Sequence, residues 1–190
     1  MKIILVRHGQ TMANIKWTYS KADTKLAPQG LYILDKTKDL LKDYKIDKVY
    51  TSKLARSMET AEKLGYNRYD SDERVNEMNF GNFRGLGIDL VRAEYKEFFE
   101  KEAKDYFNIT YPGGESRNDV IRRMRDFLDE ISKQNYENIL VISHGIAIRA
   151  GLFWILKDLS NWNSFWIDNG SLTVFNLSEG KKLIESVNKI

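Results

Sequence analysis

Ile3-Ile4-Leu5-Val6-Arg7-His8-Gly9 reads as a strand that ends in reactive side chains. Four consecutive apolar residues without alternation suit a strand covered on both faces, as in a parallel sheet with helical crossovers. Arg7 and His8 then fall at the carboxyl tip of that strand. Gly9 lets the chain turn sharply and lets another group come close, so its amide and those after it are expected to point at an anion. The same arrangement recurs far downstream, where Ile139-Leu140-Val141-Ile142 runs into Ser143-His144-Gly145. These two histidines are the only ones in the chain. Open α/β sheets assemble their sites beyond the carboxyl ends of their strands. Two His-Gly tips on central parallel strands therefore predict one site shared by His8 and His144.

Between and after these strands the pattern alternates. Met12 to Gln29 has no period and reads as a loop beside the site. Leu34, Leu41 and Tyr44 repeat at helical spacing over residues 30–44. Lys48-Val49-Tyr50 is a short strand, and Thr51-Ser52 offers an N-cap for a helix carrying Leu54, Ala55, Met58 and Ala61. Residues 67–79 are polar and aperiodic, and residues 88–104 suit one highly charged helix. Ser116 with Asp119 forms a capping box ahead of the apolar stripe Val120, Ile121, Met124, Phe127, Leu128 and Ile131. Residues 146–156 are apolar nearly all round, as in a buried helix. Residues 171–175 and 183–187 read as strands joined by a hairpin turn at Glu179-Gly180. This alternation predicts a layered α/β fold forming a single domain over residues 1–190.

Composition narrows the function classes. With 42% hydrophobic and 30% charged residues in 190, the chain is long enough to bury a core and is charged like a soluble globular protein. The first apolar run is too short for a leader, and no stretch approaches the roughly 20 apolar residues of a membrane span. A cytoplasmic location is the expectation. Without cysteine there is no disulfide, thiolate nucleophile or thiolate metal site. The net charge of +3 comes from 30 basic and 27 acidic residues interspersed along the chain, without the basic block of a nucleic-acid binder. A local positive pocket for a small anion is equally compatible with this count.

An imidazole can ligate metal, move protons or act as a nucleophile. Zinc would require both histidines plus a carboxylate, and the HExxH signature is missing. Asp70, Asp72 and Glu73 lie in a polar turn and read as a solvated loop rather than a hard-metal cluster. No metal and no cofactor are expected. Nucleophilic histidine suits phosphoryl transfer, because neutral imidazole attacks phosphorus and the phosphohistidine is open to water. Three phosphoryl oxygens then call for guanidinium forks. Arg7 is adjacent to His8, and Arg56, in the first turns of the helix after the Val49 strand, can supply the second.

Residues Leu5-Val6-Arg7-His8-Gly9-Gln10-Thr11 with Asn14, followed by Thr51-Ser52-Lys53-Leu54-Ala55-Arg56-Ser57-Met58-Glu59-Thr60-Ala61, resemble the histidine phosphatase superfamily, the phosphoglycerate-mutase-like group. Glu77 four residues before Gly81, Pro112-Gly113-Gly114-Glu115-Ser116, Ser143-His144-Gly145 and Asn169-Gly170-Ser171 extend the match in the family's order over nearly the whole chain. The resemblance implies a three-layer α/β sandwich with a mostly parallel central sheet flanked by helices, and a metal-independent phosphatase acting on small phosphomonoesters through a phosphohistidine on His8. Arg7, Arg56 and His144 would bind the phosphoryl group. Glu77 would be the acid and then the base, with Glu73 as the competing carboxyl nearby. Gln10, Thr11, Asn14 and Gly145 would add contacts to the substrate. Arg84 departs from the family pattern, which often has glutamate before this glycine, and so bears on substrate selection. The alternative is mutase-type transfer between hydroxyls, but mutases of this superfamily are usually longer around the site. A scaffold that had lost turnover would not need Arg7, His8, Arg56, Glu77 and His144 together. Trp17, Tyr19, Phe80, Phe83, Tyr106, Phe107 and Tyr111 flank the motifs as candidate pocket walls.

Overall fold

A computed structural model describes all residues, 1–190. In chain order the elements are β1 (Lys2–Arg7), α1 (Met12–Ile15), α2 (Pro28–Leu41), β2 (Lys48–Thr51), α3 (Ala55–Leu64), β3 (Asp70–Ser71), α4 (Ile88–Glu94), α5 (Lys96–Lys104), α6 (Arg117–Ile131), β4 (Asn138–Ser143), α7 (Gly145–Leu156), β5 (Leu172–Ser178) and β6 (Lys181–Lys189). Short 3-10 turns lie at Glu73–Val75, Gly81–Phe83 and Leu159–Ser164.

The strands form one sheet in the order β3-β2-β4-β1-β5-β6. β1, β4, β2 and β3 run parallel, and β5 pairs antiparallel with both β1 and β6. The unbroken apolar runs of β1 and β4 are explained by what covers them. Ile3, Leu5, Ile139 and Val141 face a core shared with Val120, Met124, Phe127 and Leu128 of α6 and Ala147 and Ile148 of α7. Ile4, Val6, Leu140 and Ile142 face the opposite layer, where Leu34 and Leu41 of α2 meet Ala61 and Leu64 of α3. Successive side chains of a strand point to opposite faces, so only a sheet covered on both sides needs every residue of these runs apolar. The three layers expected from the sequence are present.

Several local expectations change. Residues 12–29 are not all loop: Thr11 caps α1 in a capping box with Asn14. α2 begins at Pro28, whose missing N–H costs nothing at the first helical position. The charged segment 88–104 is two helices broken at Tyr95 (φ −110°, ψ 42°). The break lets Tyr95, Phe98 and Phe99 all pack on the buried ring of Phe83, at centroid distances of 4.8, 5.5 and 6.2 Å. Thr51-Ser52 does not cap α3, which starts at Ala55 after Leu54 without a side-chain cap. The capping box of Ser116 and Asp119 forms as expected, and Glu179 and Gly180 turn the β5–β6 hairpin with φ of 52° and 73°.

Candidate active site

Parallel pairing of β1 with β4 puts Arg7 opposite Ser143, so the next residues, His8 and His144, leave neighbouring strand tips. Their ring centroids are 5.0 Å apart. Both rings are buried. The His8 backbone is held from two sides: its N–H donates to the Ser143 carbonyl at 3.0 Å, and Asn169 Nδ2 donates to its carbonyl at 3.0 Å. His8 Nδ1 lies 2.7 Å from the Gly9 carbonyl, which can only accept, so Nδ1 carries the proton. Nε2 therefore presents a lone pair, to which Arg56 Nε donates at 3.2 Å. Burial, reinforced by the charges of Arg56 and Arg7, pushes the His8 pKa well below 6.5, so the ring is neutral near pH 7.

His144 is held differently. Ser52 Oγ lies 2.7 Å from its Nε2 and 2.6 Å from Ser57 Oγ, while its buried Nδ1 has no protein partner. The hydroxyl read from sequence as a helix cap thus orients an imidazole 92 residues away. When Ser52 donates to Nε2, the ring proton sits on Nδ1 and one donor is left over. Burial, then Arg56 and His8, lowers this pKa well below 6.5 as well.

Arg7 NH1 donates to the Ile167 carbonyl, and its buried Nε has no partner. Arg56, on the first turn of α3, bonds the Lys21 carbonyl through NH1 at 3.0 Å, and burial lowers its pKa to about 10. It remains charged at neutral pH. Neither guanidinium is paired with a carboxylate; burial lowers both of their pKa values, and the field of Glu77 only partly offsets this. Two buried cations and an orphaned imidazole nitrogen around one lone pair make a place for an anion.

The amides after β1 do not contribute as expected. Gly9 N–H donates to Thr60 Oγ1 at 3.0 Å and Thr11 N–H to Asn14 Oδ1 at 3.0 Å. The turn spends these donors on its own packing against α3 and α1. Asn14 Oδ1 also accepts from Thr11 Oγ1, which leaves the Asn14 Nδ2 donors free.

Glu77 is carried by an irregular segment that must be pinned from outside. Ser143 Oγ donates to the Val75 carbonyl at 2.7 Å, and Arg123 NH1 donates to the carbonyls of Arg74 and Asn76. Arg123 in turn pairs with Glu115 at 2.9 Å, and Glu115 Oε2 accepts from Asn79 N–H at 2.8 Å. The two glycine motifs interlock here. A Cβ at Gly81 would sit 2.0 Å from the Pro112 carbonyl oxygen, and one at Gly114 2.1 Å from that of Asn79. Glu77 Oε1 accepts from Met78 N–H at 2.9 Å. Glu73, by contrast, is exposed and pairs with Lys53 at 3.3 Å.

A cavity of about 540 Å³ opens over these groups. Arg7, His8, Asn14, Arg56 and Glu77 line it, with Tyr19, Phe80 and Ile88 as apolar wall and Lys21, Glu73, Arg74 and Arg84 toward solvent. Gln10, Thr11, His144 and Gly145 are not among the residues that line it. Of the candidate aromatic walls only Tyr19 and Phe80 border the cavity, their tilted rings 4.5 Å apart between centroids. Phe83 and Tyr111 are core, Tyr106 and Phe107 pack around Arg117 and Trp162, and Trp17 is 66% exposed. Sequence reasoning missed Ser52, Thr60, Asn169 and Arg123 as supports. Of these, Ser52, Thr60 and Asn169 carried a signal, by lying within motifs, and Arg123 carried none. Asp70, Asp72 and Glu73 are taken up by Lys48, Arg74 and Lys53 respectively, and no three acidic or histidine side chains converge as a metal would require.

A lone-pair imidazole flanked by guanidinium groups and one carboxyl, at the carboxyl end of a mixed α/β sheet, defines a phosphoryl-handling enzyme. The sequence model of the histidine phosphatase superfamily (branch 1) matches residues 3–190, and the chain belongs to that superfamily. It is a phosphatase, a phosphomonoester hydrolase. It is 28% identical over 194 residues to phosphoserine phosphatase 1 of Hydrogenobacter thermophilus, across 99% of this chain and 92% of that protein. It is 31% identical over 160 residues to the 6-phosphofructo-2-kinase/fructose-2,6-bisphosphatase of Gallus gallus, across 83% of this chain but 33% of that longer protein. Its fold matches the mycobacterial glucosyl-3-phosphoglycerate phosphatase solved with VO3, with a TM-score of 0.86, 25% identity, and coverage of 100% of this chain and 99% of that one.

Proposed function

We propose that the chain hydrolyses small phosphomonoesters through a phosphohistidine on His8. The observation that carries this reading is the tautomer: Nδ1–H is bound to the Gly9 carbonyl, leaving the Nε2 lone pair in a buried, cation-lined slot. Nε2 attacks phosphorus, the P–N bond forms, and the P–O ester bond breaks with its electrons going to the leaving oxygen. Glu77 gives that oxygen a proton. The resulting carboxylate then takes a proton from water as its oxygen attacks phosphorus, the P–N bond breaks with its electrons returning to Nε2, and phosphate leaves with His8 regenerated. Arg7, Arg56, His144 through Nδ1–H and Asn14 through Nδ2 hold the three equatorial oxygens, where charge accumulates. Exposed Lys21 and Arg84 at the mouth leave the intermediate open to water, which supports hydrolysis over retention for a second hydroxyl.

Brief exposure to a labelled phosphomonoester followed by denaturation tests the mechanism. An acid-labile, base-stable label on His8 and stoichiometric release of inorganic phosphate are expected. Release without label, or an isomerised ester instead of phosphate, overturns it. The cytoplasmic location rests on composition alone and is tested by cell fractionation. No helix is long and apolar enough to cross a membrane.

A further inference from the structure

The cavity holds more positive charge than a single phosphoryl group needs. Arg74 is neutralised by Asp72 and Glu130, Arg123 by Glu115, and Glu73 by Lys53. Arg7 and Arg56 face the phosphoryl position with Glu77. That leaves Lys21 and Arg84, both exposed, both lining the same cavity, and neither within ion-pairing distance of a carboxylate.

Their proximity is built by the backbone. The loop after α1 and the segment before α4 clasp each other: Gly85 N–H donates to the Tyr19 carbonyl at 2.6 Å, Tyr19 N–H to Leu86 at 3.0 Å, and Ile88 N–H to Trp17 at 2.8 Å. Gly85 has φ of +86°, and a Cβ there would lie 2.4 Å from Lys21 Cε, so the lysine stem crosses the backbone where a side chain would block it. Arg84 Nε donates to the Gly81 carbonyl at 3.1 Å, which curls the side chain back and leaves its terminal nitrogens free for a second acceptor. Arg56 NH1 anchors the Lys21 carbonyl, so the same loop runs from the phosphoryl slot to the mouth.

We infer that Lys21 and Arg84 form a second anion station, which makes this enzyme select phosphate esters carrying another anionic group, a carboxylate or a second phosphate, on the leaving-group side. The inference rests on the phosphatase reading of the same cavity and adds to it the substrate class. A fork of guanidinium donors beside an ammonium recognises either oxyanion.

Paired substrates test it. 3-Phosphoglycerate against its methyl ester probes a carboxylate, and propane-1,3-diol bisphosphate against 3-hydroxypropyl phosphate probes a second phosphate. The wild-type chain is expected to favour the charged member of at least one pair by about tenfold in kcat/KM, mostly through KM. The pair with the preference identifies the source of the anion. R84Q with K21M brings that ratio close to one, R84E reverses it, and R84K keeps most of it. Because each ratio is taken within one variant, a general loss of activity cancels. A wild-type ratio near one in both pairs, or a ratio untouched by the double variant, overturns the inference. If p-nitrophenyl phosphate is turned over and His8 is labelled while the ratios are flat, only the second station falls. If neither happens, the phosphatase mechanism falls with it.

Discussion

The floor and the mouth of the cavity are made from different materials. The floor stands on strand tips: His8 and His144 are buried, and their ring nitrogens meet Gly9, Arg56 and Ser52. The mouth stands on loops, where Lys21, Glu73 and Arg84 are exposed. Buried polar groups are costly unless paired, so the floor's few unpaired atoms, Arg7 Nε and His144 Nδ1, mark where a ligand completes the network. Exposed charges cost little to keep or change, so the mouth can alter its selection without disturbing the chemistry beneath.

The largest effect should follow from removing the floor's nucleophile. His8→Ala is expected to lower phosphatase turnover by about 10⁴-fold or more, since His144 is bound to Ser52 and cannot take over. Retained turnover measured by phosphate release would move the chemistry away from the floor. Glu77→Gln comes next. It should cost on the order of 10² to 10⁴-fold for alkyl phosphates, whose leaving oxygen needs a proton, and much less for the first step with p-nitrophenyl phosphate. Equal losses for both leaving groups in single-turnover rates would deny Glu77 its role as acid.

Much of the floor was legible because it is encoded locally. Two apolar runs ending in His-Gly predict buried parallel strands, and the sheet rule brings their tips together. What was not legible depends on pairing across the chain. Thr-Ser between a strand and a helix is an ordinary capping signal, yet Ser52 turns toward His144 because β2 lies beside β4 in the sheet. Gly9 appeared free to offer its amide, but α3 brings Thr60 to it. The clasp that places Lys21 against Gly85 joins segments more than 60 residues apart and leaves no periodic trace. Arg84 stood out only as a departure from a family pattern. Its position at the mouth gives that departure a physical meaning.

Acid should separate the two regions thermodynamically. In the unfolded chain each imidazole takes a proton near pH 6.5, whereas burial holds both folded pKa values well below this. Below pH 6.5 the unfolded state therefore binds more protons than the native state. Stability is fully present above that pH and falls as pH drops through 6.5 toward the depressed folded values. The limiting slope is about 1.4 kcal/mol per pH unit for each ring, so about 2.7 for the pair. Urea midpoints measured from pH 7 to pH 5 check this. His144→Asn should halve the slope, and a flat profile would mean that water reaches the floor and the rings titrate freely.

The smallest expected effect tests whether the boundary between floor and mouth lies between two carboxylates four residues apart. Glu73 and Glu77 both line the cavity, and sequence alone gave either as the proton donor. Glu77 is half-buried, with Oε1 taking the Met78 N–H, on a segment pinned by Ser143 and Arg123. Glu73 is exposed and holds only Lys53, an ion pair of the kind worth less than about 1 kcal/mol. Glu73→Gln should then change kcat/KM for p-nitrophenyl phosphate by less than about twofold, because no buried partner is left unpaired. Its effect should grow for substrates with a second anion, whose approach Glu73 opposes, and shrink as salt screens the mouth. A loss as large as that of Glu77→Gln, insensitive to salt, would place Glu73 in the floor and exchange the roles of the two acids.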